Sequence, residues 1–173
     1  MPLERFGIVK FRGKEVTVIG PELKAGQPAA EFTIHGLNWA TFKGLADTAG
    51  KVRIIAAVPS LDTDVCDRET RRFNEEAASI SNDIAILVIS TDLPFAQKRW
   101  CGAASVDQVI VLSDHLNGEF GEKYGVLIKE IRILRRAVFV VDRSDKIAYA
   151  AYMPALGDEP DYAEVLAAAK NAL

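Results

Sequence analysis

The stretch Pro59-Ser-Leu-Asp-Thr-Asp-Val-Cys66 joins a run with the character of a buried strand, Val52 to Val58, to a run with the character of a helix, Asp67 to Ile80. A cysteine at such a junction lies in the first turn of the helix, where unpaired backbone N–H groups and the helix dipole favour negative charge. That setting favours the thiolate, the nucleophilic form of the side chain. Cys66 is therefore a candidate nucleophile toward a small electrophile, although a small inert hydrophobe also suits the position. The neighbours bear on the choice. Thr63, three residues before the sulfur, has a hydroxyl able to bond the sulfur or a bound oxygen across the turn, and Pro59 fixes the path of the loop. Asp62, Asp64 and Asp67 oppose a thiolate unless their carboxylates point outward, so a cation is needed nearby. Arg68, Arg71, Arg72 and the pair Arg135-Arg136 are the candidates for it.

The other cysteine, Cys101, follows 35 positions later in Arg99-Trp-Cys-Gly-Ala103. The two thiols are either inert core residues or a redox pair; a structural disulfide framework is not expected in a cytosolic domain of this size. His35 and His115 stand isolated, without metal-ligand spacing to either cysteine, so no zinc site is expected. Asp158-Glu159 with Asp161 reads as the cap of a last helix rather than a metal cluster. Trp39 and Trp100 read as core or interface residues. Phe6 and Phe11 are candidates for the wall of an apolar groove.

The elements that must position these groups read as follows. Gly7 to Ile19 is a β-hairpin turning at Arg12-Gly13-Lys14. Glu31 to Asn38 alternates as a strand does, and Thr41 to Ala46 reads as a short turn or helix. Val52–Val58 and Ile84–Ser90 are near-continuous apolar runs, as central strands covered on both faces require. Thr91 or Asp92 caps a helix that starts near Pro94 and carries Cys101. Val109–Ser113 is a third, shorter strand and Gly118–Tyr124 a helix ending at Gly125. Ala137–Asp142 and Lys146–Tyr152 form a tight antiparallel pair, and Asp161–Leu173 is an amphipathic helix. Strands joined through the Cys66 helix should be parallel with a right-handed crossover. The alternation predicts an α/β layer arrangement in one domain, residues 1–173, with a thioredoxin-like fold: a mixed central sheet flanked by helices, plus the added N-terminal β-hairpin.

Composition bounds the function. The chain is 49% hydrophobic and 26% charged, with a net charge of −3. An acidic balance argues against nucleic-acid binding, and no apolar run is long enough to span a membrane. Met-Pro-Leu-Glu-Arg-Phe-Gly-Ile8 lacks the continuous apolar segment of a secretory leader. A cytoplasmic protein is the expectation.

Pro59-x-x-x-Thr63-x-x-Cys66 resembles the active-site pattern of the peroxiredoxins. The longer run Pro59 to Ala77 is similar to the bacterial thiol peroxidase branch of that family. The likeness covers essentially the whole chain, including the hairpin, the helix with the second cysteine, Tyr124-Gly125-Val126, Arg136-Ala-Val138 and Glu159-Pro-Asp-Tyr162. Relatives have a proline before the acidic residue where this chain has Ala30-Glu31-Phe32, a departure that bears on the rigidity of that loop and not on the chemistry.

The resemblance implies an enzyme that reduces hydrogen peroxide and organic (alkyl or lipid) hydroperoxides with no metal, haem or other cofactor. It implies that Cys66 is the peroxidatic cysteine, that Thr63 bonds the peroxide oxygens or the sulfur, and that Arg136 polarises both. It further implies that Glu69 orients the arginine, that Pro59 shields the loop at the substrate, and that Cys101 resolves the oxidised Cys66 through an intramolecular disulfide. Thioredoxin as reductant and a homodimer are implied in the same way. A peroxide sensor passing oxidation to a partner protein is the alternative, and a non-catalytic thioredoxin-fold binding module a third reading.

Overall fold

A computed structural model describes all 173 residues. Strands β1 (Glu4–Phe11) and β2 (Lys14–Ile19) form the expected hairpin, turning through Arg12 and Gly13, both in the left-handed region. Strands β3 (Thr33–His35) and β4 (Thr41–Lys43) pair antiparallel and lead into a 3₁₀ turn at Ala46–Thr48. The segment after Thr41 is thus a strand followed by a turn, not a helix. Its three alternating residues were too few to reveal a period. Strand β5 (Val52–Ala57) runs into helix α1 (Asp64–Ala77), and β6 (Ile84–Ser90) into α2 (Pro94–Ala104). Then come β7 (Ile110–Ser113), α3 (Glu119–Lys123), β8 (Leu127–Ile128), β9 (Ala137–Val141), β10 (Ile147–Tyr152) and α4 (Tyr162–Asn171).

Seven strands form one mixed sheet in the order β10-β9-β5-β6-β7-β3-β4, flanked by helices in a thioredoxin-like α/β fold. β5, β6 and β7 are parallel, as the crossover through α1 requires, and β9 is antiparallel to β5 and β10. The hairpin does not join this sheet. It pairs with the two-residue β8 as a separate three-stranded sheet, an arrangement that a two-residue strand gave no periodic signal to anticipate.

The side-chain alternation of β5 separates two cores. Val52, Ile54, Ala56 and Val58 pack with Phe73 of α1 and Val165 and Ala169 of α4. Ile55 and Ala57 face the other side, toward Phe32, Phe120 of α3 and Tyr124. Continuous apolar runs are what a sheet covered on both faces demands.

Register decides what meets at one edge of the sheet. β5 and β6 are parallel with Ala57 opposite Ile89, and β9 is antiparallel with Ala137 opposite Ala57. The C-terminal ends of β5 and β6 and the N-terminal end of β9 therefore coincide. The Pro59–Cys66 loop, Asp92 and Arg136 converge there, outside the carboxyl ends of the parallel strands, where open α/β sheets bind ligands.

Within the three-stranded sheet, the chain leaving β2 and the chain entering β8 approach closely, backbone to backbone. Gly125 has φ of +65°, and a Cβ there would stand 1.9 Å from the Pro21 carbonyl oxygen. Gly125→Ala should lower stability by roughly 2–3 kcal/mol through left-handed strain plus the clash. Urea unfolding checks this, and a variant as stable as the parent would contradict it.

Candidate active site

Helix α1 begins three residues earlier than the sequence alone indicated. Its N-cap is Thr63, whose backbone is extended and whose hydroxyl oxygen accepts from the Cys66 N–H at 3.4 Å. Cys66 is therefore the third residue of the helix, in the turn whose free N–H groups favour an anion. The Thr63 hydroxyl also donates to the Ser60 carbonyl at 3.0 Å, closing the loop on itself.

The Cys66 side chain is fully buried, which without a partner would favour the neutral thiol. Arg136 supplies the partner. Its Nη2 donates to the Cys66 sulfur at 3.0 Å, its Nη1 pairs with a Glu69 carboxylate oxygen, and its Nε donates to the Leu156 carbonyl at 3.1 Å. Of the five arginines considered, Arg136 alone donates to Cys66. Arg135 turns to the Met153 carbonyl and the Tyr152 ring, Arg71 and Arg72 pair along their own helix with Asp67 and Glu76, and Arg68 reaches toward Glu159. The aspartates meet their condition. Asp62 and Asp64 are exposed, and Asp67 accepts from Arg71 and from the Trp100 indole N–H at 3.0 Å.

The charges of this buried group are strongly perturbed. Burial works against the Arg136 cation, but Glu69 and then Cys66 outweigh it and raise the guanidinium above its usual range. Glu69 is completely buried, and one of its oxygens has no hydrogen-bond partner. That desolvation, only partly offset by Arg136, pushes its carboxyl up to about 7.

Cys101 lies in α2, buried in the same apolar cluster as Cys66, and the two thiols are unbonded. Burial pushes the Cys101 thiol up to about 11. The two helices are tied by the Asp67–Trp100 bond and by Arg71 donating to the Ala104 carbonyl at 3.2 Å.

A cleft of about 530 Å³ adjoins the site, lined by Pro59, Thr63 and Arg136 and by apolar Phe11, Ile133 and Leu156. Phe6 lines no part of it and is 67% exposed.

Two residues read differently from their sequence positions. Asp92 caps nothing. The N-cap of α2 is Leu93, without a side-chain bond, followed by Pro94. The Asp92 carboxylate instead crosses to the Cys66 loop, a contact between segments 31 residues apart that carries no local signature. His35 and His115 are not isolated. His35 Nδ1 and His115 Nε2 lie 3.1 Å apart, and burial, then the neighbouring His35, holds His115 below the usual imidazole range. Asp161 caps α4 as expected, accepting from the Glu164 N–H.

The Glu69 carboxyl binds its proton more tightly folded than unfolded. Its stabilising contribution is therefore complete below pH 4.5 and is lost as pH rises through about 7, a change of about 3 kcal/mol. Urea midpoints of the parent and Glu69→Gln across that window should converge or cross in the variant's favour as pH rises. A pH-independent difference would contradict this.

Comparison with known proteins shows the family and the fold. The redoxin family model matches residues 24–166. The thiol peroxidase of Oceanobacillus iheyensis is 52% identical over 158 residues, covering 91% of this chain and 95% of that protein. The thiol peroxidase of Bacillus subtilis is 50% identical over 162 residues, covering 94% and 96%. Among solved structures, a peroxiredoxin-like protein from Aquifex aeolicus aligns at 39% identity with a TM-score of 0.87, covering 98% of each chain. A thiol peroxidase from Chromobacterium violaceum shares the fold at a TM-score of 0.79 and 22% identity, covering 91% of each chain. By sequence and by fold, the chain belongs to the redoxin family, in its thiol peroxidase branch.

Proposed function

We propose that this protein is a thiol peroxidase that reduces hydrogen peroxide and organic hydroperoxides through Cys66. The observation that carries the reading is the Arg136 guanidinium 3.0 Å from a buried sulfur in the first turn of a helix capped by Thr63. Such an arrangement stabilises a thiolate in a site from which most water is excluded.

In this mechanism the Cys66 thiolate attacks one peroxide oxygen. The S–O bond forms as the O–O bond breaks, and the other oxygen leaves as hydroxide or alkoxide, taking a proton from solvent to become water or alcohol. Arg136, the Thr63 hydroxyl and the helix N–H groups stabilise the charge that develops on the leaving oxygen. Glu69 holds the guanidinium in place, and Pro59 walls the loop. Phe11, Ile133 and Leu156 along the cleft favour an alkyl substituent on the peroxide.

The Cys66 sulfenic acid then condenses with the Cys101 thiol, releasing water and leaving a disulfide. A dithiol protein of the thioredoxin type reduces it by exchange. Disulfide geometry requires Cα atoms within about 7 Å. Both cysteines lie in helices, so the helical segments around them unwind in part. Unwinding also returns Cys101 to water and lifts the desolvation that holds its thiol at about 11. Gly102 next to it eases fraying. A homodimer belongs to the same reading, supported by the exposed rings of Trp39 and Phe95, 4.9 Å apart. A cytoplasmic setting would keep reducing dithiols at hand.

Peroxide consumption with thioredoxin, thioredoxin reductase and NADPH tests the reading. Cys66→Ser should be inactive, Cys101→Ser should react once and recycle poorly, and Arg136→Lys should slow the peroxide step about a hundredfold. Full activity in Cys66→Ser would end it. Separately, amide exchange over 61–70 and 95–104 should be faster in the oxidised protein than in the reduced one, and identical patterns would exclude the unwinding step.

A further inference from the structure

Between the end of β6 and the start of α2, the half-buried Asp92 accepts three hydrogen bonds with its carboxylate. Oδ1 takes the Ser60 hydroxyl at 2.7 Å. Oδ2 takes the Leu61 N–H at 2.8 Å and the Ser90 hydroxyl at 2.7 Å. Two of the three donors belong to the loop that leads to Cys66, and neither is near Asp92 in sequence. Asp92 is itself held rigidly. Its backbone carbonyl accepts the Ser113 hydroxyl, its N–H donates to the Ser90 hydroxyl at 3.3 Å, and that hydroxyl also takes a bond from the buried Gln97 amide at 3.0 Å.

The chain of contacts continues toward the sulfur. Ser60, fixed through its hydroxyl, presents its carbonyl to both the N–H and the hydroxyl of Thr63, at 3.1 and 3.0 Å. Thr63 in turn accepts from the Cys66 N–H. Thr63 is exposed and lies in the loop rather than within a regular element, so nothing in the sheet itself fixes its hydroxyl. Asp92 brings the rigidity of two strand ends to that loop.

We propose that Asp92 is the positioning residue for the Cys66 loop: through Ser60 and Leu61 it fixes the Thr63 hydroxyl at the place where peroxide must be oriented for attack. The inference rests on the peroxidase reading. It predicts a selective defect. Reaction with a peroxide needs the Thr63 hydroxyl as well as the sulfur, whereas reaction with a small aromatic disulfide needs only a reactive, accessible thiolate.

The test measures two rate constants on a Cys101→Ser background, so that Cys66 alone reacts. One is with hydrogen peroxide, by competition with horseradish peroxidase; the other is with 4,4′-dithiodipyridine, by absorbance. Asp92→Ala should lower the peroxide rate about tenfold to a hundredfold, the range set by misplacing a reacting group, while the dithiodipyridine rate stays within about threefold. Thr63→Ala should show the same selectivity, and adding Asp92→Ala to it should cost less than about twofold more, because the two act as one unit. Asp92→Asn, which keeps an acceptor for the Leu61 N–H, should recover most of the peroxide rate.

Equal losses with both probes, an unchanged peroxide rate, or losses that multiply in the double variant would overturn the assignment. If Asp92→Ala does not fold, Ser60→Ala, which removes one of the three bonds, carries the same comparison, with a smaller peroxide-selective loss supporting the proposal and equal losses overturning it. A parent protein inert to peroxide would instead remove the peroxidase reading itself.

Discussion

A guanidinium that retains only 1% of its exposure must find its hydrogen-bond partners inside the protein, and Arg136 finds three of them on two other segments. Glu69 of α1 takes one nitrogen, the Cys66 sulfur another and the Leu156 carbonyl the third. Leaving such a cation unpartnered would cost several kcal/mol. The start of β9, the first two turns of α1 and the chain after β10 are thereby locked at fixed distances from one another. The site is not an ornament on a finished fold; the packing of these segments depends on satisfying that one charge. Glu69 bears the cost, being buried with one oxygen unpaired, and its carboxyl titrates far from its ordinary range as a result.

The two thiols sit in opposite circumstances within one apolar cluster. Cys66 has a cation against its sulfur, while Cys101 has only burial. The first has its sulfur fixed by a guanidinium; in the second, burial favours the neutral thiol. The bonds from Asp67 to Trp100 and from Arg71 to the Ala104 carbonyl lie on the surface side of the helix pair. Bonds of this kind, partly exposed and worth little each, are where local opening begins. The strands beneath, fully buried on both faces, give no such freedom.

Much of this was legible in the sequence because the physics was local. Continuous apolar runs marked β5, β6 and β9, since a strand covered on both faces has no polar side to show. Cys66 was legible from a strand, a loop with proline and threonine, and a helix. What escaped was of two kinds. Short elements carry no period: β4 and β8 exist because of their partners, not their own composition. Polar residues with two possible employments were assigned the nearer one. Asp67 suits a helix start as well as Thr63 does, and Asp92 beside a proline has every feature of a cap, yet its partners lie across the sheet edge. The two histidines, 80 positions apart, could meet only through the pairing of β3 with β7. Glu69 was legible only by family likeness; its own neighbourhood, Asp67 to Glu76, reads as a charged helix face.

The Asp67–Trp100 bond has an optical consequence. The chain has two tryptophans, and Trp100 lies at the seam between the two thiol-bearing helices, half-buried, with its indole N–H on a carboxylate and an arginine over its ring. Parting the helices would strip away both neighbours at once and leave the ring in water. Its emission would then shift in intensity and wavelength, so the protein carries a built-in fluorophore that reports, without any label, whether the seam is closed or open.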